Sequence, residues 1–375
     1  MAGIYLHIPF CRKACSYCDF HFSTSLQKAD EMGEALLTEI TLQRDYFEGR
    51  PTVETVYFGG GTPSLVPAAH LGRILDLIRE TWSVAGDAEV TLEANPDDLS
   101  TRKLREFQAM GINRLSVGVQ SFHDPDLLLL RRSHDAQQAD RSIKAAQDAG
   151  FENITLDLIY GIPGSGMQQW RANVDQAIGL QVPHVSAYAL TVEEKTLLHW
   201  QIAKGIVTPE PDQAHEAQYF HLIDRLGEAG ILQYELSNFA REGFRSRHNG
   251  GYWKGVPYLG LGPSAHSFQD GVRAWNVANN AAYLRALAEG RLAVANTEQL
   301  SDRDQLNEHL MTQLRTVEGL DLKYLSDRWG LDLLQEEALM RWREAGIVVV
   351  DGGRLRLARQ GWMVSDAVIR DLFRV

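Results

Sequence analysis

Six apolar segments of strand length alternate with amphipathic helical segments over the first 240 residues of the chain. The strand candidates are residues 3–8, 55–58, 89–93, 114–119, 154–159 and 184–190. Helical periodicity lies between them, as in residues 71–78, 104–110 and 143–149. This alternation predicts an α/β fold with parallel strands joined by right-handed crossovers. Six units can curl into an incomplete (β/α)6 barrel or lie flat as a doubly wound sheet, and both place ligands at the carboxyl ends of the strands.

The remaining residues divide into two further regions. We predict a core domain over residues 1–240, a glycine- and aromatic-rich segment over residues 241–296 and a C-terminal domain over residues 297–375. The middle segment shows no clear periodicity and is predicted to be a functional loop. The C-terminal region has three helical patterns followed by a β-hairpin at residues 347–357, which resembles a winged-helix module.

Composition and charge exclude several classes of protein. The chain of 375 residues is 44% hydrophobic and carries a formal net charge of -12, which is typical of a folded globular protein and argues against general nucleic-acid binding. No apolar run reaches the length of about 18 residues that a membrane span needs. The N-terminus lacks the basic start and apolar stretch of a secretory signal. We therefore expect a cytoplasmic protein without a transmembrane segment.

All three cysteines, Cys11, Cys15 and Cys18, lie within eight residues directly after the first predicted strand. They cannot form a disulfide framework for a chain of this size. Three thiolates on one short loop can bind three corners of an iron–sulfur cubane and leave the fourth iron open. A zinc site completed by His7 or His21 is the alternative, because structural zinc requires four protein ligands. Three inert buried thiols are a further alternative.

Polar residues and a glycine-rich turn follow the predicted strands at the edge where ligands are expected. The turn at residues 59–63 ends the second strand, and its missing Cβ atoms would let the backbone approach a ligand. Glu93 ends the third strand, Gln120 closes the fourth, and Asp157 lies within the fifth. Arg132 follows the fourth strand. Each feature also has an ordinary structural interpretation, as a tight turn, a solvated helix residue or a paired buried charge. Together they predict one crevice beside the cysteine loop.

The cysteine loop, with Tyr17 before its last cysteine, resembles that of the radical S-adenosylmethionine (SAM) superfamily. In that superfamily the methionine part of SAM chelates the open iron, and an electron from the cluster cleaves SAM to a 5′-deoxyadenosyl radical. Longer stretches are similar to the family that contains oxygen-independent coproporphyrinogen III dehydrogenase and the HemW-type haem chaperones. These stretches are residues 5–11, 59–63, 118–122 and 157–164. The resemblance implies a [4Fe-4S] cluster on the three cysteines and SAM contacts at Tyr5, Gly60, Gly61, Thr62, Glu93, Gln120, Arg132, Asp157, Ala189 and His266.

Several features separate the chain from the dehydrogenase and favour the HemW-type branch. Phe20 stands where the dehydrogenase loop carries a further cysteine, and the first strand begins within a few residues of Met1 instead of after an extension. Residues 248–253 fit the HNxxYW motif that HemW-type proteins carry and link to haem binding. Imidazole is a proximal iron ligand, and aromatic rings offer flat apolar surfaces to a macrocycle. The alternative is an aromatic loop packed over the barrel mouth. The resemblance implies haem contacts at His248, Asn249, Tyr252 and Trp253.

The resemblance therefore implies a haem chaperone that holds a [4Fe-4S] cluster and SAM and delivers haem to haem-requiring proteins. Its implied partners are haem and haem-acceptor proteins, with membrane-associated respiratory enzymes and a second copy of the chain as candidates. A coproporphyrinogen III dehydrogenase is the alternative function, and a zinc-stabilised binding protein is a third. Whether the chain is an enzyme stays open, although Phe20 and the short N-terminus argue against dehydrogenase activity.

Overall fold

The computed structural model describes residues 1–374 and begins with a parallel sheet wrapped by helices. Its strands β1 to β6 are Ala2–Ile8, Val53–Gly60, Val84–Ala94, Arg114–Gln120, Asn153–Tyr160 and His184–Ala189. Helices α1 to α6 lie between them and are Ala29–Leu42, Ala68–Thr81, Thr101–Met110, Asp124–Leu129, Ala136–Asp148 and Met167–Gly179. The strands and helices predicted from the sequence are thus confirmed for this region, with ends that shift by a few residues.

The six strands pair in parallel in the order in which they occur along the chain. They are nearly continuous apolar runs because helices cover the outer face of the sheet. Helix α2 shows how this works, since Leu71, Ile74, Leu75 and Ile78 recur at helical spacing and are all buried. The parallel order brings the carboxyl ends of all six strands to one edge.

The barrel is open. Two helices and two short strands follow β6, namely α7 (Leu197–Ala203), α8 (Asp212–Glu228), β7 (Leu232–Gln233) and β8 (Asn238–Ala240). Within residues 1–374, β6 pairs with β5 and antiparallel β8, and β1 does not close the circle with it. The expected incomplete (β/α)6 barrel is confirmed.

The middle segment is folded, and the prediction of a functional loop there is wrong. Its elements are α9 (Arg247–Trp253), β9 (Tyr258–Leu261), β10 (His266–Gln269), β11 (Val272–Asn276), α10 (Asn280–Ala288) and β12 (Val294–Gln299). Strand β9 pairs with β1, and β10 to β12 continue the same sheet antiparallel. Strands β11 and β12 are mostly half-buried or exposed, so they carry no apolar alternation that would mark them in the sequence.

Glu39 of α1 fastens these added strands to the barrel. Its buried carboxylate accepts hydrogen bonds from the Gly262 amide at 2.7 Å, the Asn276 side-chain amide at 2.7 Å and the Tyr283 hydroxyl at 2.6 Å. Burial raises the pKa of this carboxyl group. One acceptor therefore satisfies donors from the β9–β10 turn, β11 and α10.

Replacing Glu39 by alanine should lower the stability of the fold by about 3 kcal/mol or more, because buried donors lose their acceptor. Thermal unfolding followed by circular dichroism measures this as a fall in Tm. Glu31→Ala is the control on the same helix, since Glu31 is exposed and pairs only with Lys28, and it should cost less than about 1 kcal/mol. Equal Tm values for the two variants would contradict the role given to Glu39.

The C-terminal part is a small separate sheet with helices around it. Its elements are α11 (Asp302–Gln313), β13 (Leu320–Asp321), α12 (Leu322–Trp329), α13 (Glu337–Glu344), β14 (Val348–Asp351), β15 (Arg354–Leu357) and α14 (Ser365–Leu372). The strands pair antiparallel in the order β13, β15, β14. Three helices followed by a hairpin confirm the winged-helix-like arrangement. Among all the helices of residues 1–374, none is long and apolar enough to cross a bilayer.

Candidate functional site

A cavity of about 830 Å³ occupies the interior of the open barrel. At the carboxyl ends of the strands it is lined by the cysteine loop and the glycine-rich turn, and it reaches down to Arg114 and His184, the first residues of β4 and β6. Trp362 and Met363 of the C-terminal module line it as well. The expected crevice therefore exists, and it is deeper than the strand ends alone indicate.

Most of the predicted cluster and SAM residues line this cavity. They are Cys11, Cys15, Cys18, Gly60, Gly61, Thr62, Glu93, Gln120, Arg132, Asp157 and Ala189. Tyr5 lies behind the lining, where its ring stacks on Tyr57 with centroids 6.0 Å apart. His266 is exposed at the start of β10 and stacks on Trp275 at 5.7 Å. The part these residues play in binding stays a prediction.

The three cysteines are free thiols at the mouth of the cavity. The Thr62 hydroxyl lies 3.6 Å from Cys11 Sγ, and Arg132 Nη1 lies 3.3 Å from Cys15 Sγ. Burial raises the pKa of Cys11 and raises that of Cys18 to about 11. In residues 1–374 no three His, Cys, Asp or Glu side chains are drawn together as a metal-binding cluster. The fit to an iron–sulfur cluster rests on three sulfur donors in one loop that lines the cavity.

The two histidines of the zinc alternative are engaged elsewhere. His7 Nε2 lies 2.8 Å from the His21 carbonyl oxygen, and His7 Nδ1 lies 3.3 Å from the Tyr5 hydroxyl. His21 Nε2 lies 2.7 Å from Asn280 Oδ1. Neither histidine lines the cavity at whose mouth the thiols lie. His7 packs beside Gly60 of the glycine-rich turn.

The glycine-rich turn packs directly against the segment that carries the cysteines. Gly60 has a φ of 102°, and a Cβ atom there would lie 2.5 Å from His7 Nδ1. A Cβ atom on Gly61 would lie 2.6 Å from the Phe10 carbonyl oxygen. The Gly61 amide donates to the Ile8 carbonyl oxygen at 2.9 Å. The space left by the missing side chains is thus taken by the chain itself, whereas the sequence suggested that a ligand would use it.

Glu93 and Asp157 are half-buried carboxylates that line the same cavity. Glu93 accepts from the Tyr57 hydroxyl at 2.8 Å and from the Gly60 amide at 3.1 Å. Asp157 accepts from the Ser116 hydroxyl, which is 3.2 Å from both carboxylate oxygens. Burial raises the pKa of Glu93 to about 7, and burial together with the charge of Glu93 raises that of Asp157 to about 7. Because these hydrogen-bond donors are neutral, they do not compensate the negative charge of the two carboxylates. A cationic ligand with hydroxyl groups would supply both a positive charge and further donors.

Arg132 lies in the turn after α4, and the interpretation as a solvated helix residue is wrong. Its Nη2 donates to Asn95 Oδ1 at 2.5 Å and to the Gly118 carbonyl oxygen at 2.7 Å. Its Nε is buried and has no hydrogen-bond partner in the described chain. A buried donor without an acceptor is costly, and the carboxylate of an amino-acid ligand would supply one.

Sequence reasoning missed several residues of this site. Tyr57, Asn95, Ser116 and His184 all line the cavity or hold residues that do. A signal existed for Ser116, because it lies between two apolar residues, Leu115 and Val117, of its strand. That signal did not show where the side chain points, because the sequence does not tell which face of a strand lies inside a barrel.

The HNxxYW motif lies on helix α9, so the alternative of an aromatic loop is wrong. The Glu89 carboxylate accepts from the Arg247 and His248 amides at 3.0 Å each and holds the start of the helix. His248 is buried. Asn249 lines the barrel cavity. Tyr252 and Trp253 line a second cavity of about 480 Å³, between α9 and the C-terminal module.

Comparisons with known proteins agree with this geometry. The family model described as the radical SAM superfamily matches residues 5–177, and the one described as the HemN C-terminal domain matches residues 300–364. The protein named heme chaperone HemW from Bacillus subtilis is 34% identical over 374 residues, covering 98% of each chain. Its namesake from Mycobacterium tuberculosis is 38% identical, covering 99% of this chain and 94% of the relative.

A solved structure shares the fold. The chain superposes on the coproporphyrinogen III oxidase HemN of Escherichia coli with a TM-score of 0.85, covering 99% of this chain and 89% of the other. The two sequences are 24% identical. At this identity the likeness concerns the fold alone.

Proposed function

We propose that this chain, which belongs to the HemW family of the radical SAM superfamily, binds haem and passes it to haem-requiring proteins. The observation that carries the proposal is the full-length similarity to two proteins named heme chaperone HemW. The position of the HNxxYW helix supports it, because that helix lines both the barrel cavity and the cavity beside the C-terminal module.

Membership of the radical SAM superfamily implies a [4Fe-4S] cluster and SAM as cofactors. The cluster supplies one-electron chemistry when it is bound. We assign the cluster to Cys11, Cys15 and Cys18, and we assign SAM to the cavity beside them. There Glu93 and Asp157 offer negative charge to a cationic ligand, while the unpartnered Nε of Arg132 offers a donor to a carboxylate.

We place haem in the second cavity, against the motif helix. Its volume of about 480 Å³ lies within the range of small-ligand sites. Tyr252, Trp253 and Pro257 give it flat apolar walls, and Lys254 and Arg245 stand at its edge. Apolar walls suit the macrocycle, and cationic side chains suit its propionates.

The test is a haem titration of cluster-loaded protein followed by absorption in the Soret region. We expect binding of about one haem per chain, and transfer to an added apo-haem protein. Trp253→Ala should weaken haem binding severalfold, because the indole wall of the cavity is lost. Trp200→Ala is the matched control, since Trp200 is half exposed on α7 and lies outside both cavities. Absence of haem binding, or equal loss in both variants, would contradict the proposal.

The same preparation distinguishes a chaperone from the dehydrogenase. With cluster, SAM and a reductant present, we expect no conversion of coproporphyrinogen III to protoporphyrinogen IX. Phe20, 70% exposed on the cysteine loop, cannot supply the sulfur that the dehydrogenase carries there. Robust conversion, measured by product fluorescence after oxidation, would replace the chaperone assignment by the dehydrogenase.

Family membership and the free thiols suggest the acceptor proteins, the assembly and the cellular compartment. We propose haem-requiring proteins as acceptors, with membrane-associated respiratory enzymes as candidates, and a homodimer as the assembly. We place the chain in the cytoplasm, because three free cysteines that must stay reduced suit that compartment.

A further inference from the structure

One half-buried side chain, Tyr57 of β2, touches both proposed sites. Its hydroxyl donates to Glu93 Oε1 at 2.8 Å, on the SAM side. Its ring stacks on the imidazole of His248, the first residue of the haem motif, with centroids 4.9 Å apart and planes 25° apart. The Tyr5 ring packs against the same pair at 6.0 and 6.3 Å. We call this contact the Tyr57–His248 stack.

Both ring nitrogens of His248 are already occupied. Nδ1 lies 2.8 Å from the Thr55 hydroxyl, and Nε2 lies 2.9 Å from the Tyr252 hydroxyl. Burial lowers the pKa of His248 to about 3, so the ring is neutral, with one nitrogen donating and the other accepting. A haem iron that takes this imidazole must first withdraw it from Thr55, from Tyr252 and from the face of Tyr57.

Withdrawal of the His248 ring from the stack would change the hydrogen bonding of Glu93. That carboxylate has two described donors, the Tyr57 hydroxyl and the Gly60 amide. The imidazole and the Tyr5 ring both pack against the Tyr57 ring, and these contacts restrict its movement while the imidazole stays there. Once the imidazole leaves, Tyr57 loses the packing that aims its hydroxyl at Glu93. The arrangement that serves SAM is therefore the stacked one, and the arrangement that serves haem ligation is the unstacked one.

We propose that Tyr57 and His248 are positioning residues that link the two sites, so that SAM and haem each weaken the binding of the other. The proposal rests on the proposed function and deepens it. A ligand shifts such an equilibrium only by its preference for one arrangement, and the effect of each ligand on the other is equal by linkage. Bound SAM would favour the stacked arrangement and thereby promote release of haem to an acceptor.

The experiment measures haem Kd with and without saturating SAM, and SAM Kd with and without haem, on cluster-loaded protein. In wild type we expect SAM to weaken haem binding at least fivefold and haem to weaken SAM binding by the same factor. Tyr57→Phe keeps the ring and the stack but removes the hydroxyl that reaches Glu93, so both ratios should fall below twofold. Tyr324→Phe, a half-exposed tyrosine of α12, is the control and should keep the wild-type ratios.

The outcomes separate the inference from the function on which it rests. If SAM does not change the haem Kd of the wild-type protein, the coupling is contradicted and the chaperone proposal is unaffected. Ratios unchanged in Tyr57→Phe overturn the role of Tyr57. If that variant does not fold, the Soret spectrum of haem-bound wild-type protein is the test. Addition of SAM should diminish the band of imidazole-ligated haem, and a spectrum unchanged by SAM would contradict the link. Failure of wild type to bind haem at all removes both proposals.

Discussion

Replacing any one of Cys11, Cys15 and Cys18 by alanine is expected to abolish stable loading of the iron–sulfur cluster. The chain contains no other cysteine, so no other thiolate can take the lost position. Wild-type protein reconstituted without oxygen should carry about four irons and four sulfides per chain, and each variant should carry essentially none after gel filtration. Iron and sulfide analysis, with absorption near the sulfur-to-iron charge-transfer bands, measures the difference.

Lys13→Ala is the control for this experiment. Lys13 is an exposed residue of the same loop and brings no sulfur donor, so its replacement should leave loading intact. Circular dichroism should show that all variants keep the fold, because the thiols are only partly buried. Stoichiometric zinc in the wild-type protein, together with resistance to iron–sulfur reconstitution, would mean that the radical SAM assignment of the loop is wrong.

Glu93→Gln and Asp157→Asn are each expected to weaken SAM binding roughly ten- to a hundredfold while the cluster stays loaded. Loss of a hydrogen bond to a charged group costs on the order of 1.5 to 3 kcal/mol, which corresponds to that range of affinity. Both changes keep the shape of the side chain and remove its negative charge. Equilibrium dialysis or calorimetry of the loaded protein gives the SAM Kd.

Glu235→Gln is the matched control for these two variants. Glu235 is buried, and burial raises its pKa to about 7 as it does for the two cavity carboxylates, but it does not line the barrel cavity. Its replacement should leave SAM affinity within about twofold. Unchanged affinity in both cavity variants would remove the proposed SAM site, and equal losses in all three would indicate a general effect of buried charge.

The strands and helices of the barrel could be predicted because each is long enough to show its hydrophobic periodicity in the sequence. Strands of six or more residues between amphipathic helices specify a parallel α/β fold and the edge where ligands collect. The cysteine spacing then specified which end of the first strand carries the chemistry. For the same reason the sequence alone was enough to place Glu93, Gln120, Arg132 and Asp157 near one crevice.

Other parts of the site could not be read from local sequence. His248 and Tyr57 are 191 positions apart, and the pairing of β9 with β1 together with the hydrogen bonds from α9 to Glu89 brings the helix next to β2. Strand β9, Tyr258–Leu261, shows no alternation of apolar and polar side chains, so neither its existence nor its partner could be read from the sequence. The burial of His248 depends on contacts with Thr55 and Tyr252 that no motif encodes. Long-range packing thus decides what the motif histidine can do.

The packing of Gly60 and Gly61 against Phe10 and His7 has a consequence for how this sequence can diverge. A single methyl group at either position would collide with the end of β1 or with the residues that lead from it to the first cysteine. Selection would therefore remove such mutations even in a descendant whose cysteines had been lost and whose redox chemistry had ceased. If a remote sequence keeps this turn, the packing of the turn against the first strand is enough to explain it. The turn alone is therefore weak evidence that the cofactor is still bound.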